Sequence, residues 1–114
     1  MQIFKILLPQ EWRELQRHRR TAGAPIDVQD GYIHFSTAAQ LRDTAAKHFT
    51  EEKEIFVLAF DTDQMEGRLK WEVSRGGDLF PHLYGHLDIS SVLWHEAVTL
   101  KGVRHQFSDR IPLT

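Results

Sequence analysis

The sequence predicts an α+β fold: one small domain, residues 1–114, of largely antiparallel strands in two small sheets with two early helices. Three observations lead there. Helical spacing of apolar residues is confined to the first half of the chain, near residues 9–20 and 38–49. Strand-like runs dominate the second half, so strands and helices are segregated rather than alternating. The late strands are joined by short connections, which favour antiparallel pairing.

The elements follow in order. QIFKILL, residues 2–8, reads as a first strand rich in Ile and Phe. Pro9 suits the first turn of a helix, where its missing N–H costs nothing. That helix runs to about Arg20, with Trp12, Leu15 and Leu8 turned inward and the cations of RHRR at the negative end of its dipole. Residues 21–30 hold Gly23, Pro25, Asp27 and Asp30 and read as a loop. YIHF, residues 32–35, is a strand. Thr37-Ala-Ala-Gln40 is a capping box that starts a helix from Ala38 to Phe49, with Leu41, Ala45 and Phe49 on one stripe. EIFVLAF, residues 54–60, is a near-continuous apolar strand and therefore central. RLKWEVS, residues 68–74, alternates, which turns Leu69, Trp71 and Val73 inward. RGGDLFPHLYGHLD reads as a loop with a short extended piece, because of its Gly pair and its Pro. SVLWHEAVTL, residues 91–100, is the last long strand, and RHQFSDRIPLT is a tail or short edge segment.

Composition narrows the function classes. Hydrophobic residues make up 41% and charged residues 26%, an ordinary globular balance. The net charge of -2 gives no general attraction to nucleic acid or to an anionic membrane. The chain contains no Cys, which removes disulfides, thiol catalysis and cysteine zinc sites, and fits a reducing cytoplasm. No run approaches the roughly 18 apolar residues that read as a membrane span. The N-terminus lacks the pattern of a signal peptide.

The segment DGYIHFSTAAQL, residues 30–41, raises the question of chemistry. On its strand, Ile33 and Phe35 share one face and Tyr32, His34 and Ser36 the other. A lone strand His is most often packed against backbone. Here the whole face is polar-tipped and leads into a helix N-terminus, a ready site for phosphate. Capping alone accounts for Thr37. Glu72, beside Lys70 in KWEVS, is solvated by default and matters only if its face lines the same cleft as His34; a carboxylate there holds a sugar hydroxyl or acts as a base. In FPHLYGHL, His82, Tyr84 and His86 would share a face in extended conformation. Two imidazoles about 7 Å apart could chelate a metal, but a stable zinc site needs three or four protein ligands. Aromatic and imidazole groups on a shaped loop also suit stacking on a flat ligand ring. Arg75-Gly-Gly-Asp78 lacks the spacing of a phosphate loop.

GYIHFST, LKWE and FPHLYGHL, together with the N-terminal IFKILLPQEW, resemble a bacterial family of unknown function, domain of unknown function 952. The resemblance covers essentially the whole chain. That family is similar in fold to the ADP-ribosyltransferase group, which includes the RNA 2'-phosphotransferases, and Ile33-His34-Phe35-Ser36 looks like their His-hydrophobic-Ser strand. The resemblance implies a cleft for NAD or an ADP-ribose-like nucleotide, and ADP-ribosyl transfer as the reaction. By motif it implies roles for His34 and Ser36, and by residue type and position the carboxylate and aromatic roles for Glu72 and Tyr84; on that reading His34 and Glu72 are catalytic, Ser36 and the helix N-terminus at Thr37 meet phosphate or ribose, and His82 with Tyr84 covers the base. The first strand differs, carrying Phe4-Lys5-Ile6 where the group often has Tyr-His-Gly or an Arg. Two other readings stand beside this one: a non-catalytic small-ligand or protein-interaction domain on the same scaffold, and a metal-dependent hydrolase using His34, His82 and His86.

Overall fold

The computed structural model describes residues 1–113, apart from the Arg75 side chain. Strand β1 (Gln2–Leu7) pairs antiparallel with β4 (Glu54–Asp61), which pairs with β8 (Trp94–Lys101); β9 (Arg104–His105) closes a short hairpin with the end of β8. A second sheet has the order β3 (Ile33–His34), β6 (Leu79–Leu83), β5 (Leu69–Val73). A third, two-stranded sheet joins β2 (Arg20–Thr21) to β7 (Leu87–Asp88). The named strands pair antiparallel throughout, as the short late connections suggest.

Both faces of the large sheet are covered, which is why β1 and β4 are apolar along their length rather than alternating. One face, through Ile3, Leu7, Leu58 and Phe60, packs on Trp12 and Leu15 of helix α1 (Pro9–His18) and on Ile33, Phe35 and Leu83 of the second sheet. The other, through Phe4, Ile6, Ile55 and Val57, packs on Leu41 and Ala45 of helix α3 (Ala38–His48). Fully burying one such aliphatic or aromatic side chain contributes about 1.5–3 kcal/mol.

Helix α3 begins at the capping box. Thr37 Oγ1 accepts the Gln40 N–H at 3.3 Å, and the Gln40 side chain accepts the Thr37 N–H at 3.0 Å. Gln40 Nε2 also donates to the Leu79 carbonyl at 2.8 Å, tying the helix to β6. Thr37→Ala is expected to lower stability by about 1 kcal/mol, read as a shifted urea midpoint at unchanged slope.

Three expectations are corrected. Residues 25–30 are not loop: Pro25–Asp30 form a third helix, α2, so the helices number three among the described residues. Pro25 stands at its start and Asp27 Oδ2 accepts the Ala24 N–H at 2.8 Å. Six residues are too few to show a helical period. Gly31, at φ 87°, stops the helix in the left-handed conformation and turns the chain into β3. The second correction is β6, read as mostly loop and found as the central strand of its sheet. Pro81 is tolerated there because its carbonyl, which accepts the Phe35 N–H at 3.0 Å, faces the side where β3 has already ended. Its nitrogen points the same way, so the missing N–H costs one bond to Phe35 at the end of β3 and leaves the ladder with β5 intact. Third, Trp71 and Val73 are exposed, and only Leu69 of that face packs on the core. The β5–β6 hairpin runs past the core, as the exposure of Leu79 opposite Val73 also shows.

Candidate functional site

The two sheets meet at the outer edge of β1. Phe4 and Ser36 exchange backbone hydrogen bonds of 2.8 and 2.9 Å there. Beside this bridge a cleft of about 800 Å³ opens, bounded by β1, α2, the β3 strand with Ser36, β6 and α3. Its polar lining includes Lys5, Asp27, Asp30, His34, Ser36 and His82; Ile26, Phe49 and Phe80 contribute apolar wall.

Asp27 is the hub of one half. Its side chain is fully buried and accepts four hydrogen bonds: from Lys5 Nζ at 2.7 Å, His34 Nδ1 at 2.6 Å, the His34 N–H at 3.1 Å and the Ala24 N–H. The backbone at Gly23 passes so close that a Cβ there would collide with the carboxylate. Burial pushes the Asp27 carboxyl up, but the His34 hydrogen bond and the Lys5 charge outweigh it and hold the group below its ordinary value. Burial pushes the Lys5 ammonium below its ordinary value, against the pull of Asp27. His34 Nε2 reaches Asp30 Oδ2 at 3.1 Å. An ionised carboxylate only accepts, so the His34 Nδ1–H is the donor to Asp27.

The other half is built on the β5–β6 hairpin. His82 lies directly opposite His34 across the strands, with ring centroids 5.3 Å apart. Its Nδ1 meets Glu72 Oε1 at 2.8 Å, and the Tyr84 hydroxyl donates to the same oxygen at 2.9 Å. These two donors hold the Glu72 carboxyl below its ordinary value; the same hydrogen bond pushes the Tyr84 phenol up. With Nδ1 donating to a carboxylate, Nε2 is the lone-pair nitrogen of the neutral ring. That atom is buried and has no hydrogen-bond partner among the described residues. Tyr32 packs against both imidazoles, at 4.7 Å from His34 and 4.2 Å from His82.

Of the residues singled out from sequence, His34, Ser36 and His82 line the cleft. Glu72 and Tyr84 stand behind His82 and orient it. The Thr37 hydroxyl is engaged in capping α3 and lies outside the cleft lining. The Ser36 hydroxyl lies 3.0 Å from that of Thr44. His82 and Tyr84 share a face as expected. His86 lies beyond the strand and is exposed, with its carbonyl bonded to Arg68. Among the described residues no group of three or more His, Asp or Glu side chains is arranged to hold a metal ion. No described helix is long and apolar enough to cross a membrane. Sequence reasoning missed Lys5, Asp27 and Asp30. The available signal was Lys5 itself, a cation in the middle of an otherwise apolar strand.

Comparison with known proteins gives the chain its relatives. The crystal structure of protein CC0527 from Caulobacter crescentus is 37% identical, covers 97% of this chain and 98% of its own, and superposes with a TM-score of 0.92. A double mutant of that protein gives 38% identity and the same TM-score. Its solution NMR structure gives 37% identity over 99% of this chain and 98% of its own, with a TM-score of 0.85. No curated protein matches. The family described as "Protein of unknown function (DUF952)" matches residues 6–95, a span that runs from β1 through Asp27, His34, Glu72 and His82 into β8, and the chain belongs to that family.

Proposed function

We propose that the cleft binds an ADP-ribose-like nucleotide, gripped mainly through ribose hydroxyls, on an ADP-ribosyltransferase-like scaffold. The observation that carries this reading is the buried, unpartnered Nε2 of His82. A buried acceptor without a partner costs about 1–3 kcal/mol, and a ligand hydroxyl would recover it. The rest of the lining fits a diol better than a phosphate. Lys5 is already matched by Asp27, which itself accepts four hydrogen bonds, so this pair leaves little for a phosphate, while the partly exposed Asp30 carboxylate can accept from a hydroxyl. Ile26, Phe49 and Phe80 offer the apolar wall against which a base can lie. The volume falls within the range of small-molecule sites.

For ADP-ribosyl transfer from NAD, His82 Nε2 would take the proton of the attacking hydroxyl, with Glu72 steadying the imidazolium. One observation favours the alternative of a binder that breaks no bond. Glu72, the carboxylate that the resemblance assigns to catalysis, is occupied by His82 and Tyr84.

The test is an amide and imidazole NMR titration with NAD and then ADP-ribose. Shifts are expected at Lys5, residues 24–30, Tyr32 to Ser36 and Phe80 to Tyr84. A folded protein unmoved by either at millimolar concentration overturns the nucleotide reading. Release of nicotinamide from NAD would decide for transfer over simple binding.

A further inference from the structure

We propose that Lys5 is an amine nucleophile that forms an imine with an aldehyde ligand in the cleft, such as the open-chain form of a free sugar end. The proposal deepens the nucleotide reading, since ADP-ribose carries such an end, but it needs only that the cleft admit a carbonyl compound.

The argument starts from the oddity of the residue. Lys5 stands in β1 between Phe4 and Ile6, on the same face as Ile3 and Leu7, with a side chain only 7% exposed. An apolar residue there would extend the core, and buried ion pairs are often no more stabilising than apolar replacements. The residue is buried, yet it lines the cleft. Its nitrogen also begins a chain of close charged and polar groups that leads outward. Nζ meets Asp27 Oδ2 at 2.7 Å, Asp27 Oδ1 meets His34 Nδ1 at 2.6 Å, and His34 Nε2 meets Asp30 Oδ2 at 3.1 Å. His34 and Asp30 are about one-third exposed, so this chain of groups reaches from the buried amine to solvent. Burial also favours the neutral, nucleophilic amine.

The chemistry balances on these groups. One N–H proton passes to Asp27, and the neutral amine attacks the carbonyl carbon, forming the C–N bond. Asp27 returns its proton to the carbonyl oxygen, then carries a second one across from the nitrogen of the addition product, and the oxygen leaves as water. The ammonium and aldehyde become a protonated imine and water. The nitrogen begins and ends as a cation beside the Asp27 carboxylate, and the pair passes through a neutral amine and a carboxylic acid in between.

The wild-type protein is incubated near neutral pH with glycolaldehyde, and separately with ADP-ribose, in the presence of cyanoborohydride, which reduces an imine to a stable secondary amine. Peptide mass mapping then compares Lys5 with Lys47, Lys53, Lys70, Lys101 and the Met1 amine. Lys5 is expected to be labelled by glycolaldehyde on the order of tenfold faster than the exposed amines, despite its burial. Lys5→Arg keeps a cation opposite Asp27 and is expected to remove the fast labelling. Labelling of Lys5 no faster than the exposed amines, or a fast phase that survives in Lys5→Arg, overturns the proposal. If ADP-ribose shifts the cleft resonances but neither carbonyl labels Lys5, the imine is overturned and nucleotide binding stands. If glycolaldehyde labels Lys5 while ADP-ribose leaves the cleft unmoved, the imine is supported and the nucleotide reading falls.

Discussion

Asp27→Ala is expected to destabilise the fold by about 3–5 kcal/mol, the range for removing one partner from a buried ion pair. The carboxylate holds Lys5, both the ring and the backbone of His34, and the first turn of α2. Its loss strands the Lys5 ammonium in a site with 7% exposure and unties α2 from both sheets. Urea unfolding at neutral pH measures the effect. Replacing both members, Lys5→Met with Asp27→Leu, should recover most of it, because no unpaired charge then remains. The pH dependence has a definite sign. The folded Asp27 carboxyl lies below its ordinary value, so the unfolded state binds the proton more tightly. Its contribution is therefore complete above about pH 4, the usual carboxyl range, and drains away as pH falls through the lower folded value. Asp27→Asn should lack that part of the acid slope. A loss below about 1 kcal/mol in Asp27→Ala would mean that the pair is no better than a surface one.

The same carboxylate explains where sequence reading stopped. The long elements were legible because their signals are local. Pro9 starts α1, Thr37 and Gln40 start α3, and EIFVLAF can only be a strand covered on both faces. His34 was legible as a cleft residue because its strand face is polar at Tyr32, His34 and Ser36 alike. Helix α2 was not legible, because its stability is not local. Asp27 reads as a turn former in sequence, and only the fold brings Lys5, 22 positions earlier, to within 2.7 Å of it. Glu72 illustrates the reverse limit. Sequence put it on the face with Lys70 and left open whether that face meets the cleft of His34; the hairpin register puts it diagonal to His82, so it holds that imidazole rather than lining the cleft. Alternation in β5 likewise gave the right faces, while the burial of Trp71 and Val73 depended on how far the hairpin outruns the core.

His82→Phe is expected to separate binding from stability. The His82 side chain is 3% exposed, so a ring of similar size keeps the packing with Tyr32. The substitution removes the hydrogen bond to Glu72, worth about 1.5–3 kcal/mol for a charged partner, and also the buried unpartnered Nε2, whose desolvation costs about 1–3 kcal/mol. These terms oppose each other. Glu72, with a side chain 37% exposed, keeps Tyr84 and water as donors. Stability should thus stay within about 1 kcal/mol of wild type. Affinity for ADP-ribose should fall about 10- to 100-fold, because the acceptor that the ligand hydroxyl meets is gone. Tyr84→Phe is the control: it leaves Nε2 in place and removes only one of the two donors to Glu72, so binding should change far less. Calorimetric titration of the three proteins decides the matter. Equal affinity in wild type and His82→Phe would place the ligand away from Nε2, and the unpartnered nitrogen would then be a cost of the fold with no ligand to relieve it.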